Sequence, residues 1–215
     1  MNAGAIITYH PIIFHGIKRL DPTERVPRIL MRCTQNDIAI YSPHTACDAA
    51  VNGVNDWLVR GMGDIWSSVP ITPNSDDPHT GIGRIAEFSD PHPTIEEVIR
   101  RVRKHLQLKN VQVATDRPLK TPVRSFAVCA GSGDSVLSGV EAELYLTGEM
   151  SHHHILEAVS CGRTVIVCNH SNTERGYLKE IKMELDRQLD ENYEVKISQV
   201  DHDPLAVYSC VCPNT

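Results

Sequence analysis

The chain has 215 residues, 41% of them apolar and 22% charged, a balance that supports a buried core and argues against disorder. Its net charge of -6 argues against direct nucleic-acid binding, because affinity for a phosphate backbone rests mainly on Lys and Arg. No run approaches the roughly 20 apolar residues that span a bilayer, and the apolar start lacks the basic flank and cleavage pattern of a secretory signal, so no membrane segment is expected.

In chain order, residues 3–9 form a short β-branched run read as a buried strand. Residues 23–36 carry helical spacing through Val26, Ile29, Leu30 and Cys33, and 37–41 read as a second strand. This order predicts a parallel pair with a helical crossover. The spacing predicts a helix over 54–62, ending near Gly61 and Gly63. Residues 67–81, rich in Pro, Ser, Asp and Gly, are the best loop candidate. A strand over 83–88 precedes a helix opened by Thr94 as cap, with Glu97 three residues on.

Strands are expected over 111–115, 125–129 and 144–147, the last two separated by the Gly-rich turn AGSGDSVL. That turn lacks the third glycine of a dinucleotide fingerprint and reads as a tight strand-to-helix turn. A helix over about 151–159, a strand over 163–168, a long helix over about 173–189 and strands over 193–198 and 206–211 complete the chain. Strands alternating with helices predict α/β layers. The seven cysteines follow no framework spacing, so reduced thiols and a cytoplasmic location are expected, with the nucleus as the alternative. Cys210 and Cys212 would share one face of the last strand, as core residues.

Three distant points place a potential metal ligand just after a predicted strand, where loops gather on a parallel sheet. They are His10 in Tyr9-His10-Pro11, Asp48 in the stretch from His44, and His170 with Glu174. If Thr173 caps the next helix, Glu174 lies in its first turn, near enough to His170 for both to meet one ion. Two imidazoles and two carboxylates suit zinc, iron, manganese or nickel. Taken singly, each residue also has a plain reading as a capping or solvated side chain. Three consecutive histidines, His152, His153 and His154, point roughly 100° apart on a helix and cannot all reach one ion. An N-terminal turn capped by Ser151 is the structural reading, with His153 as an outer partner of a ligand the functional one.

Taken as a set, ITYHPIIF, YSPHTACDAAVNGVNDWL, GIGRIAEF, FAVCAGSGDSVL, ELYLTGEMSHHHILEA and VCNHSNTERGYL resemble the NGG-interacting-factor-three-like family. Its bacterial members are often labelled GTP cyclohydrolase type-two-like dinuclear metal proteins. The resemblance covers nearly the whole chain, in the family's order, and treats 1–215 as one family domain. It implies two α/β halves packed around a shared interface, with mixed sheets flanked by helices, and a homo-oligomeric, hexameric ring. It further implies that His10, Asp48 and Glu174 hold one divalent ion, and that His170 and Glu174 help hold a second, with Glu174 bridging.

Tyr9 departs from the pattern, because many bacterial relatives carry a histidine there for the second metal. A tyrosine phenol, which ordinarily titrates near 10, is a poor substitute, so the second position is expected to be weak or empty. The Tyr-His version resembles the eukaryotic branch, linked to transcriptional coregulation through protein partners. The family also carries a segment on the order of 60 residues before the first strand seen here. The expectation is therefore a shortened isoform, a fragment or an incomplete gene model. Two functions follow from the resemblance: a metal-binding protein-interaction or coregulator module, or a metal-dependent hydrolase acting on a nucleotide or related small molecule.

Overall fold

The computed structural model describes residues 3–208. The chain divides into two compact units, Met1–Cys47 and Asp48–Thr215.

In the first unit, strand β1 (Ala5–Ile7), helix α1 (Arg25–Gln35) and strand β2 (Ala39–Tyr41) follow in order. β1 and β2 pair in parallel, with Ala5 opposite Ala39 and Ile7 opposite Tyr41, as the β-α-β reading expects. Beyond the ladder, Thr8 N–H donates to Tyr41 O at 2.9 Å, and the Tyr9 carbonyl accepts from His44 N–H at 3.1 Å and from Ser42 Oγ at 2.9 Å. The turns that leave the two strands are thereby tied together.

The short helix α2 (Thr45–Ala49) leads into the second unit, which continues with α3 (Val54–Met62), β3 (Ile65–Val69), β4 (Thr72–Pro73), β5 (Gly81–Ile82), β6 (Arg84–Phe88), α4 (Ile95–Leu106), β7 (Gln112–Ala114), β8 (Ser125–Ser132), α5 (Asp134–Leu137), β9 (Leu144–Glu149), α6 (His152–Ser160), β10 (Thr164–Val167) and α7 (Leu178–Gln188). Six strands form one mixed sheet in the order β3-β6-β8-β9-β10-β7. β8, β9 and β10 are mutually parallel, while β3, β6 and β7 attach antiparallel to their neighbours. The three parallel strands finish at one edge of the sheet, the edge where α/β folds place ligands.

Both faces of the sheet are covered, so its central strands are apolar on both sides. Ala127 and Cys129 of β8, Tyr145 of β9 and Val165 of β10 pack with Leu137 of α5 and Ala158 of α6. The alternate residues Phe126 and Val128 point to the other side, where α3 and α4 lie and Phe88 meets Phe126 with ring centroids 4.5 Å apart. Thr94 caps α4 as its sequence predicts, its hydroxyl accepting from Glu97 N–H at 3.3 Å.

Between α3 and α4 sits His105, its ring 4.3 Å from that of Trp57. Burial holds the imidazole pKa below its ordinary value of 6.5, assisted by nearby Arg60 and opposed by a hydrogen bond with the Trp57 backbone. The unfolded chain therefore binds this proton before the folded one does. The stability this ring contributes is complete above pH 6.5 and is lost as the pH falls below it through the lower folded-state pKa. Denaturant midpoints from pH 7.5 to 5.5 should fall more in the native chain than in His105→Phe; equal slopes would refute this.

Four regions differ from the sequence reading. Strand β1, expected to be buried, is exposed at all three of its positions, because an apolar β-branched run favours a strand without fixing what covers it. Residues 67–81, expected as a loop, hold the end of β3 and the small β4–β5 hairpin, because Pro and Gly tolerate the hairpin's few ladder bonds. The expected helix over 173–189 begins only at Leu178. Before it run two single 3₁₀ turns, Ser171–Thr173 and Arg175–Tyr177, because the Thr173 hydroxyl is bonded to β8 and to His170 and does not cap a helix. Residues 193–198 and 206–208 form no ladder, since alternation supplies no pairing partner by itself. The remainder of the last expected strand, with Cys210 and Cys212, lies outside the described residues.

Candidate metal centre

In the second unit the site is built on the ends of the parallel strands. β8 ends in Ala130-Gly131-Ser132, β9 ends in Gly148-Glu149, and β10 is followed by Cys168-Asn169-His170. Asn169 adopts φ +67°, a left-handed turn that Asn tolerates, and the 3₁₀ turn after it leads to Glu174.

His170 Nε2 lies 3.2 Å from Glu174 Oε1, and its Nδ1 lies 2.9 Å from Glu149 Oε2. Glu174 is 5% exposed. The hydrogen bond to Glu174 raises the His170 imidazole pKa from 6.5 to about 9, with Glu149 adding to the effect and burial opposing it. On the neighbouring strand, burial pushes the Cys129 thiol up to about 12, helped by the negative charges of Asp48 and Glu174. The surroundings thus favour positive charge at the ring nitrogens and suppress a thiolate. Glu149 on Nδ1 is the kind of partner that orients a metal-binding histidine through its outer nitrogen, and Glu174 beside Nε2 is a further potential ligand. This donor set suits a borderline divalent ion.

Close packing makes the pair possible. Gly131, at φ +64°, sits where a Cβ would be 2.8 Å from His170 Nε2 and 2.9 Å from Glu174 Oε1. At Gly148 a Cβ would lie 2.6 Å from the Gly131 carbonyl oxygen and 2.8 Å from His170 Cα. Thr173 Oγ1 accepts from Gly131 N–H at 2.9 Å and donates to His170 O at 2.7 Å. Fully buried Asn55 joins Asp48 to the same strand: its Nδ2 donates to Asp48 O at 3.0 Å and its Oδ1 accepts from Ala130 N–H at 2.9 Å.

His170 and Glu174 are brought together, by a 3₁₀ turn and not by the helix start that the sequence predicts, and the Asp48 backbone is linked to β8 through Asn55. In the first unit, His10 follows β1, its ring 5.3 Å from Tyr9 and 5.2 Å from His44. His153 stands exposed in the first turn of α6, edge-on to His152 at 5.6 Å. Its neighbour His154 pairs with Asp134 at 3.2 Å. Glu149, Asn55 and Gly148 were not singled out by sequence reasoning, which read Thr173 only as a helix cap and Gly131 only as part of a tight turn. The TGE ending of β9, a carboxylate closing a buried strand, was the signal available for Glu149.

A mixed-sheet α/β fold with a histidine–carboxylate pair at the ends of its parallel strands defines the class of protein. The chain belongs to the Duf34/NIF3 (NGG1p interacting factor 3) family, whose model matches residues 1–204. It is 42% identical over 212 residues to the NIF3 homolog of Schizosaccharomyces pombe, covering 94% of this chain and 75% of that protein. It is 40% identical over 222 residues to the NGG1-interacting factor 3 of Saccharomyces cerevisiae, covering 96% and 75%. Among solved structures, a Bacillus cereus protein related to NIF3 superposes with a TM-score of 0.78 at 20% identity, over 96% of this chain and 84% of that one. Reduced HcgD from Methanocaldococcus jannaschii gives a TM-score of 0.71 at 26% identity, over 86% and 71%.

Proposed function

We propose that this chain is a metal-binding protein-interaction module of the coregulator type, with His10, Asp48, His170 and Glu174 as ligands of a divalent cation. The observation that carries the metal reading is the His170–Glu174 contact at 3.2 Å, with Glu174 buried. A buried carboxylate beside an imidazole is costly unless a proton or a cation balances it. Zinc, iron, manganese and nickel all suit the donors. Tyr9 offers no ready ligand, so one well-formed position is expected and a second is weak. Protein partners are supported by the name of the Saccharomyces cerevisiae relative, an NGG1-interacting factor. The chain acts as a homo-oligomer, ring-shaped by family resemblance, in the cytoplasm or the nucleus.

The second reading is a metal-dependent hydrolase acting on a nucleotide or related small molecule. What favours it is the Glu149–His170–Glu174 chain of hydrogen-bonding groups, which could accept or return a proton beside a metal. A divalent ion bound there would lower the pKa of a water towards about 7.

Elemental analysis of the untagged full-length protein should find about one divalent ion per chain. His10→Ala and Glu174→Gln should each reduce that content several-fold while the far-UV circular dichroism stays unchanged. Full metal content in both variants would reject the ligand set. Capture of an NGG1-type partner should persist in the same variants under the module reading. Nucleotide turnover by the native protein that both variants lose would instead establish the hydrolase.

A further inference from the structure

We infer that residues 201–205 form a built-in clasp on the metal-binding turn, with Asp203 as its positioning residue. The inference rests, for its effect on metal, on the ligand set proposed above. After α7 the chain runs as irregular backbone, returning no ladder to the sheet within the described residues. Side chains are what hold it. Asp203 Oδ2 accepts from Ser171 Oγ at 2.6 Å, and Oδ1 accepts from Asn169 Nδ2 at 3.5 Å. The same Oδ1 accepts from Leu205 N–H at 2.8 Å, closing a local turn that fixes the carboxylate. Two residues earlier, Asp201 accepts a hydrogen bond from Arg175 Nη1.

These partners are not scattered. Asn169 and Ser171 flank His170, and Arg175 follows Glu174, so the clasp grips the turn on both sides of His170 and directly after Glu174. The turn itself is two 3₁₀ elements of three residues each. Such short i→i+3 pieces have poor hydrogen-bond geometry and little stability of their own. A turn of that kind needs outside contacts to hold two ligands within a few tenths of an ångström, which is what a metal site demands. Thr173 supplies one contact from beneath, through Gly131. Asp203 supplies the other from a segment some 30 residues further along, which couples the carboxy-terminal tail to the site. Charge-assisted bonds from hydroxyl to carboxylate are strong enough for this role.

The alternative is that Asp203 merely docks the tail, with no consequence for the ligands. Two measurements on the full-length chain separate these readings: amide hydrogen exchange over 169–175 in metal-free protein, and Co²⁺ affinity by competition with a chelator. Asp203→Ala and Ser171→Ala should each speed exchange selectively over 169–175. Each should weaken Co²⁺ binding by about 10-fold, the lower end seen when an outer partner of a metal ligand is removed. The double variant should weaken it no further than Asp203→Ala alone, because that substitution already removes the Ser171 bond. Asp203→Asn, which retains the Leu205 acceptor, should fall between native and Asp203→Ala. The clasp is overturned if exchange in Asp203→Ala rises no more over 169–175 than elsewhere, or if the two single effects on Co²⁺ simply add. If native protein binds no Co²⁺, the ligand set fails, and the clasp then stands or falls on the exchange result alone.

Discussion

Arg84→Ala is expected to lower the unfolding free energy by about 3–5 kcal/mol, the cost of breaking a buried ion pair from one side. Arg84 is 2% exposed, yet its guanidinium is fully engaged. Nε donates to Asp56 Oδ1 at 2.5 Å and Nη2 to Asp56 Oδ2 at 3.3 Å. Nη1 donates to the carbonyls of Gly81 and Gly83 at 2.7 and 2.8 Å, and Nη2 also reaches Ala50 O at 3.1 Å. One side chain thus joins the segment before α3 to β5 and β6. Truncation leaves three carbonyls and a carboxylate short of a donor, each with a desolvation penalty. Urea unfolding monitored by circular dichroism gives the midpoint. Arg84→Lys should recover little, because an ammonium cannot reproduce the planar fork. Adding Asp56→Asn to Arg84→Ala should recover part of the loss, since it removes the stranded charge. A midpoint for Arg84→Ala within experimental error of the native one would disprove the assignment.

Gly148→Ala has the largest expected effect on the candidate site. Its Cβ would press on the Gly131 carbonyl oxygen at 2.6 Å, His170 Cα at 2.8 Å and Asn169 O at 2.9 Å. All three are backbone atoms and cannot swing aside as a side chain would. Relief requires β8 or the turn carrying His170 to move, at a cost of about 1–3 kcal/mol for overpacking. The functional consequence exceeds that figure, because His170 loses its register with Glu174. In metal-free protein the His170 ring should titrate near pH 9 in the native chain. In Gly148→Ala its pKa should fall back towards the ordinary 6.5 as the Glu174 bond is lost. The proton that stabilises the native pair is present below pH 6.5 and is lost as pH rises through about 9, so the variant's deficit should be largest at the acid end. Histidine ring resonances followed by NMR from pH 5 to 10 would decide this. An unchanged titration in the variant would show that the turn does not depend on this close approach.

Much of the fold was readable from the chain. The periodicity of Val54 to Met62 and the Thr94 cap both place helices where they stand. The β-branched runs at 125–129, 144–147 and 163–168 mark the central strands, since strands buried on both faces leave continuous apolar sequence. The hairpin inside 67–81 was not readable, because its composition is that of any loop and only the pairing of Thr72 with Ile82 reveals it. The helix start near 173 was misplaced for a related reason. Thr173 looks like a cap locally, but its hydroxyl is committed to Gly131 N–H, 42 residues away.

The candidate site divides in the same way. His170 and Glu174 lie four residues apart, which suggests a pair, although a 3₁₀ turn and not the expected helix start brings them together. Glu149 and Gly148 come from a different strand, and their role depends on the parallel register that sets β9 beside β10. Residue type, spacing and apolar patterning are local properties, and they determined by themselves the α/β class, the central strands and the histidine–glutamate pair. The tertiary structure alone decided which carboxylate holds the outer nitrogen of His170, why two glycines are needed, and what grips the turn. Those facts rest on atoms brought within 3 Å by strand register and chain return, distances that no short-range sequence pattern encodes.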